Sequence, residues 1–311
     1  MTSIKSTLSH AQIFHSLVQI LRRKSRSKLL MTQVAVHDPD LVHALRLPYE
    51  GITALMAIRD RPVIVSSWGQ DFTPQSDRDP LLRHWYKTLL PRVSGLMSDD
   101  QEDLDRARNF RLKDSVPTLI AAGNFGVNTS LFYPEARSGQ PVVLYPRRMT
   151  PNNNFRGFIK AAAALSESSD ALFIGVGLSA LSSEVASLVP HRSKSAIELT
   201  PDLSQFNLAA YMRRSAVVVS PAYSDGMPNS VLEALSCGAR VVAGDLPQLA
   251  ALKNLGLPIE LVDARDARSI ADGIERALAS GSFPLDVRLP AEYSVAHNEK
   301  AVYAFYEAIL S

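Results

Sequence analysis

Residues 220–238 read SPAYSDGMPNSVLEALSCG. They leave the apolar run AVVVS (216–220), pass through a loop holding Asp225, Gly226, Pro228 and Asn229, and open a helix whose first turn carries Glu233. A helix start presents backbone N–H groups without intrahelical acceptors, together with the positive end of the helix dipole, so it attracts phosphate. In a parallel sheet such a loop lies beyond the carboxyl end of its strand, where ligands collect. Asp225 and Glu233, one in the loop and one in the first turn, can face the same crevice. Carboxylates accept paired hydroxyl donors, so two of them around a phosphate site suit a ligand that also carries sugar rings. A second reading needs no ligand: Ser230-x-x-Glu233 spells a capping box, and Asp225-Gly226 is a common turn pair.

Working outward, the second half alternates strands with helices. VVLYP, ALFIG, SAIEL, AVVVS, ARVVAG and PIELV read as strands. NFRGFIKAAAALSES, ALSSEVASLV, LAAYMRRS, SVLEALS and ARSIADGIERALAS read as helices between and after them. The first half opens with apolar positions Ile13, Phe14, Leu17, Val18 and Leu21 at helical spacing. Short apolar runs follow as strands (LLMTQVAV, DLVHAL, PVIVSSW, GLMSDD, TLIAAG). Stretches of helical character separate them (EGITALMAIRD, DPLLRHWYKTLL, QEDLDRARNF). Alternation of this kind predicts parallel sheets covered on both faces. A Gly/Pro-punctuated stretch, GNFGVNTSLFYPEARSGQP (123–141), interrupts it and reads as an interdomain connection. The expected organisation is a first Rossmann-like domain over 1–125, a linker at 126–140, a second such domain over 141–290, and a closing helix at 291–311 that crosses back to the first.

At 311 residues, two domains of about 100–200 residues are expected. A net charge of +2 does not suggest nucleic acid binding. The run LRRKSRSK (21–28) holds five basic residues in eight, which suits either a solvated helix end or peripheral contact with an anionic membrane. The single cysteine, Cys237, excludes an internal disulfide and fits a reducing compartment. No apolar run is long enough to span a bilayer and no signal peptide is evident, so a cytoplasmic protein is expected, with peripheral attachment at the inner membrane as an option. The seven histidines show no ligand-like spacing, so no metal is expected.

After the first strand of the second half comes PRRMTPNNNF (146–155), which places Arg147 and Arg148 at the same carboxyl edge as Asp225. An arginine there can clamp a pyrophosphate through two parallel hydrogen bonds. With GVNTSLFYP, VVLYPRRMTPNNNFRGFIKA, FIGVG, VVVSPAYSDGMPNSVLEALSCGARVVAGDLPQLAAL and DARSIADGIERAL in that order, the chain resembles the GT-B-fold retaining glycosyltransferases of family 4, the glycosyl transferases group 1. DLVHALRLPYEG and VSSWGQDFT fit weaker patterns of the family.

The resemblance implies two Rossmann-like domains facing a central cleft. It also implies a UDP- or GDP-sugar donor, transfer to an acceptor hydroxyl (glycan, lipid or small molecule) with retention of configuration, and no cofactor or metal. Asp225 would touch the donor sugar, Glu233 the ribose, and Arg148 the pyrophosphate. Arg147, Asn153, Gly175 and the Gly226–Val231 loop (Gly226, Met227, Pro228, Asn229, Ser230, Val231) would complete the donor site. His43, Trp68, Gly69 and Asp71 are the acceptor-side candidates.

The chain departs from the family in three places. Asn153 stands where many members carry lysine, and Trp68-Gly69 where many carry His-Gly. The strand and glycine-rich loop with which members open are not seen before residue 9. Two other readings remain. A non-catalytic nucleotide-sugar binder or partner subunit fits a short first domain. A nicotinamide oxidoreductase is suggested by GVGLSA (175–180), which has the G-x-G-x-x-A form with Glu198 at the next strand end.

Overall fold

The computed structural model describes residues 10–68, 71–72, 79–121, 125–189, 196–281 and 286–311. They fall into two compact units, Met1–Ile120 with Ala301–Ser311, and Ala121–Lys300.

In the first unit, α1 (His10–His37) precedes β1 (Val42–Ala44), α2 (Ile52–Ala57), β2 (Val63–Ser67), α3 (Pro80–Leu89), β3 (Gly95–Ser98), α4 (Gln101–Asn109) and β4 (Thr118–Ile120). The run LLMTQVAV, expected as a strand, instead forms the last turns of α1. The reason lies in its burial. Ser27, Leu30 and Val34, three and four residues apart, are half-buried while most of their neighbours face solvent. Leu30 and Val34 pack against the core that holds Ile52, Leu55 and Val65. That contact outweighs the modest helix penalty of Thr32, Val34 and Val36. The strands run parallel in the order β1-β2-β3-β4, with Val42 opposite Val63, Ile64 opposite Gly95 and Leu96 opposite Thr118. Every residue of β2 and β3 is buried, as in a sheet covered on both sides. Asp79 caps α3 by accepting from the Leu81 and Leu82 amides, and Asp100 caps α4 by accepting from the Asp103 amide.

The second unit contains β5 (Val142–Tyr145), α5 (Phe155–Leu165), β6 (Leu172–Gly175), α6 (Ser182–Leu188), β7 (Ile197–Leu199) and α7 (Gln205–Arg214). It continues with β8 (Val217–Ser220), α8 (Asn229–Ser236), β9 (Arg240–Gly244), α9 (Pro247–Asn254), β10 (Ile259–Val262) and α10 (Ala267–Ala279). A last helix, α11 (Val295–Leu310), begins in this unit and ends among residues of the first. All six strands are parallel, in the order β10-β9-β8-β5-β6-β7. This is the doubly wound order in which the first and fourth strands lie side by side. Consecutive residues alternate between two cores: Leu144, Val218 and Val241 face one, and Val143, Val217 and Val242 the other. The stretch read as a connection packs on this unit. Val127 and Phe132 are buried in its core, and Ser236 Oγ donates to the Phe132 carbonyl at 2.7 Å.

Candidate functional site

β5 and β8 are neighbours in the sheet but not in the chain. The chain leaves β5 toward β6 and leaves β8 toward β9, on opposite sides, so the loops after the two strands diverge and open a crevice at their carboxyl ends. The two loops are fastened together. Asn152 Nδ2 donates to the Ser224 carbonyl at 2.6 Å, Ser224 Oγ donates to Asn152 Oδ1 at 3.0 Å, and the Tyr223 amide donates to the Asn152 carbonyl at 3.0 Å.

Arg147 joins the loops a second time. Its guanidinium donates to Ser230 Oγ at 3.1 Å and to Asn153 Oδ1 at 3.0 Å, and it forms an ion pair with the Asp225 carboxylate. The Arg147 Nε is buried without a hydrogen-bond partner. Three other candidate residues, from the two loops and the start of α8, thus meet around the Arg147 cation. Arg148 differs. Its carbonyl accepts from Asn153 Nδ2 at 2.8 Å, while its side chain is exposed and takes no partner among the described residues.

The start of α8 is open. Pro228 precedes it, no side chain caps it, and the Asn229 and Ser230 amides take no acceptor among the described residues. The capping box spelled by Ser230 and Glu233 does not form: Pro228 takes the N-cap position, so Ser230 lies inside the first turn, where its Oγ accepts from Arg147, and Glu233 falls in the second turn, not the first as the sequence suggested. Burial pushes the Glu233 carboxyl up to about 7, against a smaller lowering by its hydrogen bond with Gln205. Met227 and Val231 send their side chains into the core, which leaves their backbone as the part able to meet a ligand. A Cβ on Gly175 would stand 2.7 Å from Leu178 Cδ1, so close packing alone accounts for that glycine. Cys237 is fully buried and its thiol is pushed up to about 12, so it is an inert helix residue.

Sequence reasoning assigned no role to Gln248. Its Nε2 donates at 2.7 Å to the carbonyls of both Asp225 and Gly226, fixing the peptide units that carry the loop. The available signal was a polar residue directly after Pro247 at a helix start, and its partner lies more than twenty positions upstream. Glu198 sits in the middle of β7, not at its end, so the fingerprint suggested by GVGLSA lacks its acidic residue in place.

In the first unit, the structure gives three of the acceptor-side candidates local partners. His43 Nδ1 lies 2.6 Å from Tyr306 Oη and Nε2 lies 2.7 Å from Ser66 Oγ, and burial lowers the ring to about 4, so it is neutral. Asp71 is almost fully buried; it accepts from Arg46 at 2.6 Å and from the Leu47 and Trp68 amides at 3.2 Å. The Arg46 guanidinium lies over the Trp68 ring, 6.0 Å from its centre. Gly69 lies outside the described residues. Among the described residues no cluster of His, Cys, Asp and Glu could hold a metal, and no helix is long and apolar enough to cross a membrane.

Residues 140–280 match the family described as Glycosyl transferases group 1. No curated protein matches the sequence. Among solved structures, a glycosyltransferase from Rickettsia africae ESF-5 is similar with a TM-score of 0.71 at 15% identity, over 100% of this chain and 84% of that one. HepE from Anabaena, solved with UDP and glucose, has a TM-score of 0.71 at 15% identity over 91% and 81%. Sucrose-phosphate synthase from Thermosynechococcus elongatus has a TM-score of 0.65 at 18% identity over 99% and 79%. At these identities the likeness establishes the fold, the GT-B arrangement of two parallel α/β sheets.

Proposed function

We propose that this chain, whose residues 140–280 match the glycosyl transferases group 1 family, moves a sugar from a nucleoside-diphosphate donor to an acceptor hydroxyl with retention of configuration. The observation that carries this reading is the Arg147 network beside an uncapped helix start at the β5/β8 crevice. The diphosphate lies against the free amides of α8 and the unpartnered Arg148 guanidinium, with Arg147 behind them. Asp225, held in place by Arg147 and Gln248, accepts from donor-sugar hydroxyls. Glu233 accepts from the ribose.

The bond from the sugar's anomeric carbon to the diphosphate oxygen breaks, and the acceptor oxygen bonds to that carbon on the same face. The acceptor's proton passes to the departing phosphate oxygen. Negative charge grows on the phosphate as the bond breaks, so Arg148 and the helix-start amides stabilise the transition state more than the ground state. The engagement of His43 and Asp71 within the first unit supports a route in which the leaving phosphate, not a protein base, takes that proton. The reaction needs no metal and is placed in the cytoplasm, where nucleotide sugars and a reduced Cys237 coexist.

The test is thermal denaturation with UDP-glucose, GDP-mannose and NAD at pH 8. One of the sugar nucleotides raises Tm and NAD does not, and Glu233→Gln removes the rise. The same substitution raises the Tm of the free protein, because the folded state no longer holds a buried carboxylate. Equal stabilisation by NAD alone would reverse the assignment. A protein stabilised by a sugar nucleotide that neither transfers nor hydrolyses it is a binding subunit, not a transferase.

A further inference from the structure

The first two turns of α5 carry Arg156 and Lys160, four residues apart, and the helix FRGFIKAAAAL contains no acidic residue. Cations near a helix N-terminus are opposed by the dipole, and like charges four apart repel each other. Packing does not force this choice, since both side chains are exposed. A third cation, Arg265, comes from the loop between β10 and α10. With Arg156, Lys160 and the ring of Tyr223, it lines a cavity of about 360 Å³. The acids beside it, Asp263 and Asp266, accept from the Arg265 and Arg268 amides at 2.8 and 2.9 Å. No ion pair is formed by Lys160 or by the Arg265 guanidinium among the described residues.

This cavity is separate from the Arg147 network but shares its sheet edge. Tyr223, Ala264 and Arg265 also line a second cavity of about 350 Å³, which the Asp245 and Asp263 side chains border. Arg156 and Lys160 thus line one cavity of a trough and Asp245 and Asp263 the other, with Arg265 and an exposed tyrosine ring shared between the two.

We propose that this trough is a second ligand site for a phosphorylated sugar. The phosphate sits among Arg156, Lys160 and Arg265, and the hydroxyl-bearing remainder lies along Tyr223 toward Asp245 and Asp263. A bound phosphate gives Lys160 and the Arg265 guanidinium an anionic partner. The site does not depend on the transfer reading, because no residue is shared with the Arg147–Asp225–Glu233 set.

The experiment is a titration of the ¹⁵N-labelled full chain with ribose 5-phosphate, ribose and inorganic phosphate at matched ionic strength, followed through backbone amide shifts. Ribose 5-phosphate is expected to shift the amides of Arg156, Lys160, Arg265 and Ala267 saturably, at least tenfold more tightly than either ribose or inorganic phosphate. The double variant Lys160→Gln, Arg265→Gln weakens that binding at least tenfold. Both side chains are exposed, so the variant's Tm should match the parent's, and a matched Tm separates loss of binding from loss of fold. The proposal is overturned if ribose 5-phosphate binds no better than ribose or inorganic phosphate, or if the double variant binds as the parent does. It is equally overturned if the saturable shifts fall on Gly226–Val231.

Discussion

Among the described residues two carboxyls, Glu233 and Asp103, are pushed up to about 7 by burial, and they differ in what surrounds them. Glu233 lies in the second turn of α8, where burial raises its carboxyl against a hydrogen bond with Gln205. Asp103 lies in the first turn of α4, is pushed up to about 7 by burial and by the neighbouring Asp100, and has a buried Oδ2 with no partner. Its folded value lies above its unfolded value of 3.8, so its contribution is intact below about pH 4 and is lost as pH rises toward and through 7. Asp103→Asn is therefore expected to match the parent near pH 4 and to exceed it at pH 8 by up to about 4 kcal/mol. Urea unfolding at the two pH values measures this, and a variant less stable at pH 8 would show that the carboxylate is needed in the fold. Neither carboxyl's state was readable in the sequence, because burial depends on what packs above the helix. The same limit applies to adjacent residues: Arg147 and Arg148 are indistinguishable as letters, and only the pleat and the loop decide which one turns back to Asp225.

At the scale of elements, legibility followed β-branched content and the clarity of the flanking breaks. VVLY, VVVS and RVVAG became strands because runs of valine between polar or Gly/Pro breaks have few other low-energy outcomes in a buried sheet. LLMTQVAV carries similar residues but lacks a break before it, so it continued α1 and turned a three-and-four spacing inward. The stretch at 126–140, read as a connection, also makes specific contacts. Gly126, Pro134 and Gly139 signal a connection, and Arg137 within it staples two helix ends. Its guanidinium donates to the Arg213, Cys237 and Gly238 carbonyls at 2.6, 2.6 and 3.0 Å, where α7 and α8 finish. Burial lowers Arg137 only to about 10, so it stays charged at neutral pH. Arg137→Met keeps much of the volume and removes the donors, leaving three carbonyls of helix ends with less compensation. A loss of about 1–3 kcal/mol in chemical denaturation is expected. A loss below about 0.5 kcal/mol would mean that water replaces the staple.

On the scale of the whole molecule, both parallel sheets followed from the alternation of apolar runs and helical stretches, and the crevice follows from the doubly wound order, which sets β5 beside β8 and sends the chain away from them on opposite sides. What alternation does not convey is where the chain's end is used. Residues 301–311 belong with the first unit, and the contact responsible is specific: a Cβ on Gly95, at the start of β3, would lie 2.5 Å from Ile309 Cδ1 and 2.7 Å from Phe305 Cζ. The glycine is what allows α11 to lie directly on that strand. His43 adds a hydrogen bond to Tyr306 on the same stretch of helix. Gly95→Val fills this space with atoms that have nowhere to go, and overpacking of this kind costs about 1–3 kcal/mol. Because the clash is confined to the first unit, hydrogen exchange should quicken at the amides of residues 95–98 and 301–311 and stay unchanged in β5, β8 and β9. Any stabilisation by a sugar nucleotide should also survive. Exchange that quickens equally in both units would show that the chain unfolds as one cooperative body, and the assignment of α11's end as a local fastener of the first sheet would then be wrong.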